Sequence, residues 1–297
     1  MPIINTLQDV TPAVQSVMEQ TTDPRLREIM HSLITHLHGF VQDVKLTEAE
    51  FQQATKILNT MGQQTNDKHN EFVLMAGSLG VSALVCLLNN GDNGATETTQ
   101  NLLGPFWRLN QPMTEQGGSL LRSETPGPRL DGAFRFIDKA GDPIEGLEVD
   151  IWHASPVGLY ENQDDSQADH NLRGKFVTGV DGMVRFRSVR PIGYPIPTNT
   201  TVGQLLEAQG RHPYRPAHVH VLAHKEGFKT LISQIYVDDT VYLHTDVQFG
   251  VTRALVGNLT AHDTPHPDDG DVGEWFTLDH TFMLEPGVSK LPIPPIK

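Results

Sequence analysis

The stretch Ala217-His218-Val219-His220-Val221-Leu222-Ala223 decides how the second half of this chain is read. In an extended strand successive side chains point to opposite faces. His218 and His220 therefore share one face, while Val219 and Val221 turn to the other, into a core. Two histidines at this spacing suit two neighbouring metal ligands, and equally two polar residues on a half-exposed strand. The period of two recurs on both sides, in GAFRFID at 132–138, LEVDIWHA at 147–154, GMVRFRS at 182–188, TLISQIYV at 230–237 and WFTLDHTFML at 275–284. Turn signals such as Gly141-Asp142-Pro143 and Asp181-Gly182 separate these runs. Short strands in series without intervening helices predict a mostly antiparallel β-sandwich.

The front of the chain follows a different period. Asp23-Pro24 is a helix cap followed by proline at the first helical position. Leu26, Ile29, Met30, Leu33 and Leu37 then recur at helical spacing, and Gly39 is a natural stop. Thr47 and Glu50 form a capping box for a second helix with the stripe Phe51, Ala54, Leu58 and Met61, which Gly62 ends. A third helix is expected over roughly 67–89, apolar over most of its surface and so covered on more than one side. Between Gly91 and Pro128 glycine, proline and threonine accumulate around LLGPFW at 102–107, as in a linker or an active-site loop. The acidic segment 161–170 reads as a surface loop. The fold class is thus α+β, with a helical domain over 1–100 and a β-sandwich domain over 101–297.

Composition narrows the function. The 297 residues carry a formal net charge of −14, and the basic residues are scattered rather than run together. Such a surface argues against nucleic acid and against anionic membrane as partners. The single cysteine, Cys86 in the apolar run VSALVCLL, excludes a disulfide framework and a multi-cysteine metal site, and reads as a buried, inert thiol. No secretory pattern opens the sequence, and no run approaches the roughly 18 apolar residues of a membrane span. A cytoplasmic protein is expected.

If His218 and His220 bind a metal, the remaining ligands lie elsewhere. HExxH is absent, and no carboxylate stands at helical spacing from a histidine pair. A zinc hydrolase is therefore disfavoured, and so is a ferrous site that needs a carboxylate. Tyrosines stand out instead. Tyr160 and Tyr194, two of only five, each close a glycine-containing turn beside a predicted strand. They read either as rim residues with a wet hydroxyl or as oxygen donors.

The order of the motifs goes further. WHASPVGLY at 152–160, DGMVRFRSVRPIGYPIP at 181–197 and GRHPYRPAHVHV at 210–221 resemble the intradiol ring-cleaving dioxygenases, nearest to their hydroxyquinol 1,2-dioxygenase branch. The likeness extends to LTEAEF at 46–51, DKHNEFVLMAGSLGVS at 67–82, GATETTQNLLGPF at 94–106 and VDDTVYLHTDVQFGV at 237–251. It implies a ferric ion held by Tyr160, Tyr194, His218 and His220, with Tyr194 the axial ligand that gives way to a diol. Phenolate is a hard anionic donor that suits a trivalent ion, and such an ion keeps a phenol deprotonated. Both atoms of O2 would enter between the two hydroxyl-bearing carbons, giving a muconate-type diacid.

The resemblance further implies that Arg215 stabilises negative charge on the ring and that the polar Gln234 orients a ligand or the reacting group. Leu74, Gly77, Gly104, Pro105, Phe106, Ile196, Pro197 and Gln248 become the pocket walls. Two of these depart from the hydroxyquinol branch: Gly77 stands where aspartate is usual, and Gln248 where an apolar residue is common. A catechol, alkylcatechol or carboxylated-catechol dioxygenase is therefore the rival within the family. The rival outside it is a β-sandwich binding module that lacks iron. In the relatives the helical domain pairs two subunits around a lipid-lined tunnel, so a homodimer with lipid at its interface is expected.

Overall fold

The computed structural model describes residues 3–67, 69–90, 100–238, 240–268 and 270–296, with only the backbone of Asn90. Two compact units result, Met1–Asn59 and Thr60–Lys297. This division does not coincide with the one read from composition at 100/101. The reason is local: the helix that follows residue 70 packs Leu74 against Ile196, Val202, Leu206 and Val247.

In the first unit, α1 (Leu7–Met18) is a helix the periodicity did not announce. Helix α2 (Pro24–Asp43) starts as expected, with Asp23 Oδ1 accepting from the amides of Arg25 (2.8 Å) and Leu26 (3.2 Å). It runs through Gly39, however, and the chain leaves the helix only at Lys45, in the left-handed region at φ 52°. Helix α3 (Glu48–Gln64) opens on the expected capping box, where Thr47 N donates to Glu50 Oε2 (2.9 Å) and Glu50 N to Thr47 Oγ1 (3.3 Å). It continues past Gly62 and carries the division between the units. No residue of α1 or α2 is buried, and Leu26, Ile29, Leu33, Leu37 and Phe40 are each 45–54% exposed.

In the second unit the expected long helix is two, α4 (Glu71–Ser78) and α5 (Val81–Asn90). They meet at a 78° bend. Gly80, at φ +74°, supplies the left-handed residue this break requires. Helix α4 buries Glu71, Leu74, Gly77 and Ser78, whereas α5 leaves Leu84 and Leu88 exposed. Cys86 is half-buried rather than buried, and burial pushes its thiol pKa up. Among the described residues no single helix is long and apolar enough to cross a membrane.

The strands are β1 (Gly118–Ser119), β2 (Arg129–Ile137), β3 (Glu148–Trp152), β4 (Arg173–Val177), β5 (Met183–Val189), β6 (Tyr194–Pro195), β7 (Tyr214–Arg215), β8 (His218–His224), β9 (Leu231–Val237), β10 (Val256–His262) and β11 (Trp275–Met283). A short helix, α6 (Thr201–Ala208), stands between β6 and β7 and was not read from the sequence. Nine strands run in the order β1-β5-β2-β11-β10-β9-β8-β3-β4, and β6 pairs with β7. Most pairings are antiparallel, with three parallel ones: β1 with β5, β9 with β10, and β2 with β11. The sheet folds back on itself. Phe176 of β4 and Phe186 of β5, from opposite ends of the order, have ring centroids 6.2 Å apart. Between them runs the segment 112–120, in which Thr114 N donates to Lys175 O (2.7 Å) and Leu120 N to Arg187 O (2.8 Å).

Inside lies one large apolar core. Phe134, Phe136, Val149, Ile151, Val219, Val221, Ile235 and Phe282 contribute to it, none of them exposed. The inward turn of Val219 and Val221 is the one their alternation predicts. The histidine face of β8 is covered as well, by Phe106, Trp107 and Trp152. That second, smaller cluster surrounds the functional site.

Candidate metal centre

Four side-chain atoms close a small ring. Tyr160 Oη lies 3.1 Å from Tyr194 Oη, which lies 3.4 Å from His218 Nε2. His218 Nε2 is 3.2 Å from His220 Nε2, and His220 Nε2 is 3.1 Å from Tyr160 Oη. The two histidines come from β8 as an i, i+2 pair, Tyr160 from the turn after β3, and Tyr194 from the start of β6. All four residues are buried.

This donor set fits a first-row metal ion. Nitrogen and oxygen ligands about 2.0–2.2 Å from one ion stand about 3 Å apart when adjacent, which is the spacing seen here. His218 Nδ1 lies 2.7 Å from the carbonyl oxygen of Pro216, which can only accept, so the ring donates there and keeps its Nε2 lone pair for the centre. Burial lowers the His218 pKa to about 3 and that of His220 well below the usual range, so both imidazoles are neutral ligands. Burial likewise pushes both tyrosine pKa values up, Tyr160 well above the usual phenol value. Only a strongly charged cation would favour the phenolates there, and two phenolates are the charge complement of such a cation. The geometry and the charge requirement point the same way.

His220 is fixed by packing. Its ring stacks on Trp152 with centroids 4.7 Å apart and planes 6° from parallel. The chain also passes so near the ring that a Cβ at Gly104, itself at φ +73°, would come within 3.0 Å of His220 Cε1. Its Nδ1 has no hydrogen-bond partner among the described residues. The passing strap is pinned further along, where Trp107 Nε1 donates to Asp150 Oδ2 of β3 (2.9 Å).

Arg215 is buried beside the ring of donors, with Nη1 3.3 Å from His218 Nε2. Its other nitrogens are held by Asp246, through Nε to Oδ1 (3.2 Å) and Nη2 to Oδ2 (3.1 Å), and by Gln234 Oε1 (2.9 Å) and Tyr236 Oη (3.0 Å). Burial alone would push the Asp246 carboxyl pKa up. The Arg215 guanidinium and the amides of Gln248 and Gly250 outweigh this and hold it below the usual carboxylate range. Gln234 also donates to Leu102 O (2.6 Å). The side-chain hydrogen bonds of Gln234 are therefore with Arg215, Tyr236 and the strap, while on β9 it stands directly opposite His220.

A cavity of about 410 Å³ opens onto this centre. Tyr194, His220 and Arg215 line it, as do Leu74, Gly104, Pro105, Phe106, Ile196, Pro197 and Gln248 among the expected wall residues. Gly77 lies one layer behind: a Cβ there would meet the amide of Gln248 at 3.0 Å. His224, two turns of the pleat further along β8, lies outside the site, with its Nδ1 2.7 Å from Ser289 Oγ.

Sequence reading missed Asp246, Tyr236 and Trp152, and it missed the brace behind Tyr160. There Glu161, read as part of a surface loop, is buried and accepts from Arg173 Nε (2.7 Å) and Arg108 Nη1 (3.1 Å). Arg173 Nη1 in turn donates to Phe106 O (2.6 Å), and the Phe106 ring lies 4.5 Å from that of Tyr160. Glu161, Asp169 and His170 could together hold an ion by spacing alone. Arg108, bonded to both carboxylates, already supplies the positive charge.

Comparison with known proteins gives two family matches, "Dioxygenase" over residues 102–279 and "Catechol dioxygenase N terminus" over 23–96. The chain is 39% identical over 272 residues to hydroxyquinol 1,2-dioxygenase of Rhizobium sp. (strain MTP-10005), covering 90% of this chain and 91% of that protein. Its fold superposes on a crystal structure of hydroxyquinol 1,2-dioxygenase from Pseudomonas putida DLL-E4 with TM-score 0.84 at 32% identity, covering 95% and 99% of the two chains. Catechol 1,2-dioxygenase from Pseudomonas arvilla C-1 gives TM-score 0.80 at 28% identity, covering 94% and 92%.

Proposed function

The chain belongs to the intradiol ring-cleaving dioxygenase family, and from that premise we propose that it cleaves hydroxyquinol (benzene-1,2,4-triol), or a closely related substituted catechol, with O2 between the two hydroxyl-bearing carbons. The product is a maleylacetate- or muconate-type diacid. The family implies a non-haem iron. We assign Tyr160, Tyr194, His218 and His220 to hold it as Fe(III), which makes a bound diolate ring reactive toward O2. The observation that carries this reading is the closed ring of four buried donor atoms, two of whose residues, Tyr194 and His220, line a cavity of about 410 Å³.

The protein's own groups then have distinct tasks. Tyr194 stands on the cavity side of the donor ring, so its oxygen is placed to take a proton from the incoming diol. Arg215, permanently charged and aimed by Asp246, Gln234 and Tyr236, offers Nη1 to negative charge developing on the substrate. Gln234 is a positioning residue acting through Arg215. Leu74, Pro105, Phe106, Ile196 and Pro197 give flat apolar walls that exclude water. Gly77 leaves room for the Gln248 amide at the wall.

Oxygen uptake with a panel of trihydroxybenzenes and substituted catechols tests the reading. Hydroxyquinol is expected to give the highest kcat/KM, with two phenolates turning the iron-loaded protein wine-red. Better turnover of catechol would replace the substrate assignment, and a colourless protein that consumes no oxygen would end the reading.

We further assign the helices of the first unit to pairing of two copies and the second unit, which holds the cavity, to catalysis. The half-exposed apolar stripe of α2 supports this, because a monomer gains nothing by leaving it in water. A groove of about 410 Å³ lined by Leu7, Val10, Val41, Leu46 and Phe51 has the apolar character a lipid chain needs. Sedimentation at micromolar concentration should give twice the chain mass, and a monomer alone would refute the pairing.

A further inference from the structure

A titratable side chain on the cavity lining has no role in the scheme above. His69, immediately before the cap of α4, lines the cavity together with Asn70 and Leu74. Its Nε2 lies 2.5 Å from Glu71 Oε2. The Glu71 side chain is wholly removed from solvent, and its other oxygen accepts from Val202 N of α6 (2.7 Å). The imidazole is thus gripped from behind by a buried carboxylate anchored to a second helix. Its Nδ1 has no hydrogen-bond partner among the described residues, and the side chain keeps 22% of its exposure. A carboxylate bonded to one ring nitrogen fixes both the tautomer and the orientation of the ring. With the Nε2 proton directed at Glu71, Nδ1 presents a lone pair.

Resting on the functional reading above, we propose that His69 recognises a hydroxyl group carried by the substrate ring outside the cleaved diol, accepting its hydrogen bond at Nδ1. The chemistry of the other walls favours this. Leu74, Pro105, Phe106, Ile196 and Pro197 offer an aromatic ring only apolar contact. Of the polar side chains that share the lining, Asn70, Gln163, Thr198, Asn199 and Gln248, none carries an imidazole locked by a buried carboxylate. A site with a fixed acceptor discriminates for a hydroxyl, because the analogue lacking that group leaves the acceptor unmatched. Glu71 is a positioning residue in this scheme, since among the described residues its carboxylate bonds to His69 and to the amide of Val202.

The test is the ratio of kcat/KM for hydroxyquinol to that for catechol, measured in the wild type, His69→Leu and His69→Asn. The ratio is internal to each preparation, so it does not depend on how much of a variant is folded. It should fall about tenfold in His69→Leu, the weight of one hydrogen bond, chiefly through KM for hydroxyquinol. His69→Asn, whose Oδ1 takes the place of Nδ1 as an acceptor, should recover part of it. If His69→Leu yields no folded protein, His69→Gln, whose amide reaches the place of Nε2, keeps a donor for Glu71 while withdrawing the acceptor from the place of Nδ1, and the same loss is expected. An unchanged ratio in these variants overturns the role of His69, as does a fall seen in Gln248→Leu but not in His69→Leu. A wild type that consumes no oxygen with either compound overturns the functional reading itself, an outcome distinct from both.

Discussion

Tyr160→Phe is expected to lose most of its iron and to turn over substrate about 10²–10⁴ times more slowly. The substitution removes one atom, Oη, and leaves a ring that still packs on Phe106 at 4.5 Å, so the fold is retained. What changes is charge. With both phenolates in place a trivalent ion needs one further anion for neutrality. With one phenolate gone, a buried site without solvent access to that atom must carry an additional positive charge. An uncompensated buried charge costs about 3–5 kcal/mol, and at about 1.36 kcal/mol per decade this gives the range above. Iron per chain by mass spectrometry and oxygen uptake are both read, and melting temperature reports the fold. A Tyr160→Phe protein with full iron and full turnover would exclude this tyrosine as a ligand.

The distinction between what the sequence disclosed and what it hid follows sequence distance. His218 and His220 are legible because strand geometry alone puts i and i+2 on one face, and the apolar alternation of Val219 and Val221 says which face is core. The Thr47–Glu50 and Asp23 caps are legible for the same reason: each bond spans three residues or fewer. The convergence of Tyr160 and Tyr194 on that strand came only through the order of motifs, since no local rule connects positions 34 residues apart. The long-range partners were not legible at all. Asp246 lies 31 residues from Arg215, and Glu71 lies 131 residues from the Val202 amide it accepts. Boundaries failed where glycine was read as punctuation. Gly39 sits inside α2, while Gly80, unremarked, breaks the apolar run in two. Glycine permits a left-handed turn without imposing one, so packing decides which glycine is used.

Asp246→Asn is expected to destabilise the protein by about 3–5 kcal/mol, because it leaves the Arg215 guanidinium buried and unpaired. For a unit of this size about 1 kcal/mol corresponds to about 2–4 °C, so melting should fall by about 6–20 °C. The pair is nearly free of solvent, with side chains 3% and 2% exposed, so screening does little to soften the loss. Because the Asp246 carboxyl is held below its ordinary range in the fold, the stability it contributes is present above the unfolded carboxylate pKa of about 4. That stability is lost as pH falls through the folded value. The wild type should accordingly lose more stability on acidification than Asp246→Asn, which has no such carboxyl to protonate. Combining Asp246→Asn with Arg215→Met removes both charges, and replacing a buried ion pair by neutral side chains is often close to neutral for folding. The double variant should therefore melt well above Asp246→Asn while remaining unable to turn over substrate. That outcome would mean the buried pair is kept for the charge it aims at the cavity and not for the stability of the fold. A double variant as unstable as the single one would assign Arg215 and Asp246 to structure and leave the charge on the substrate without its partner.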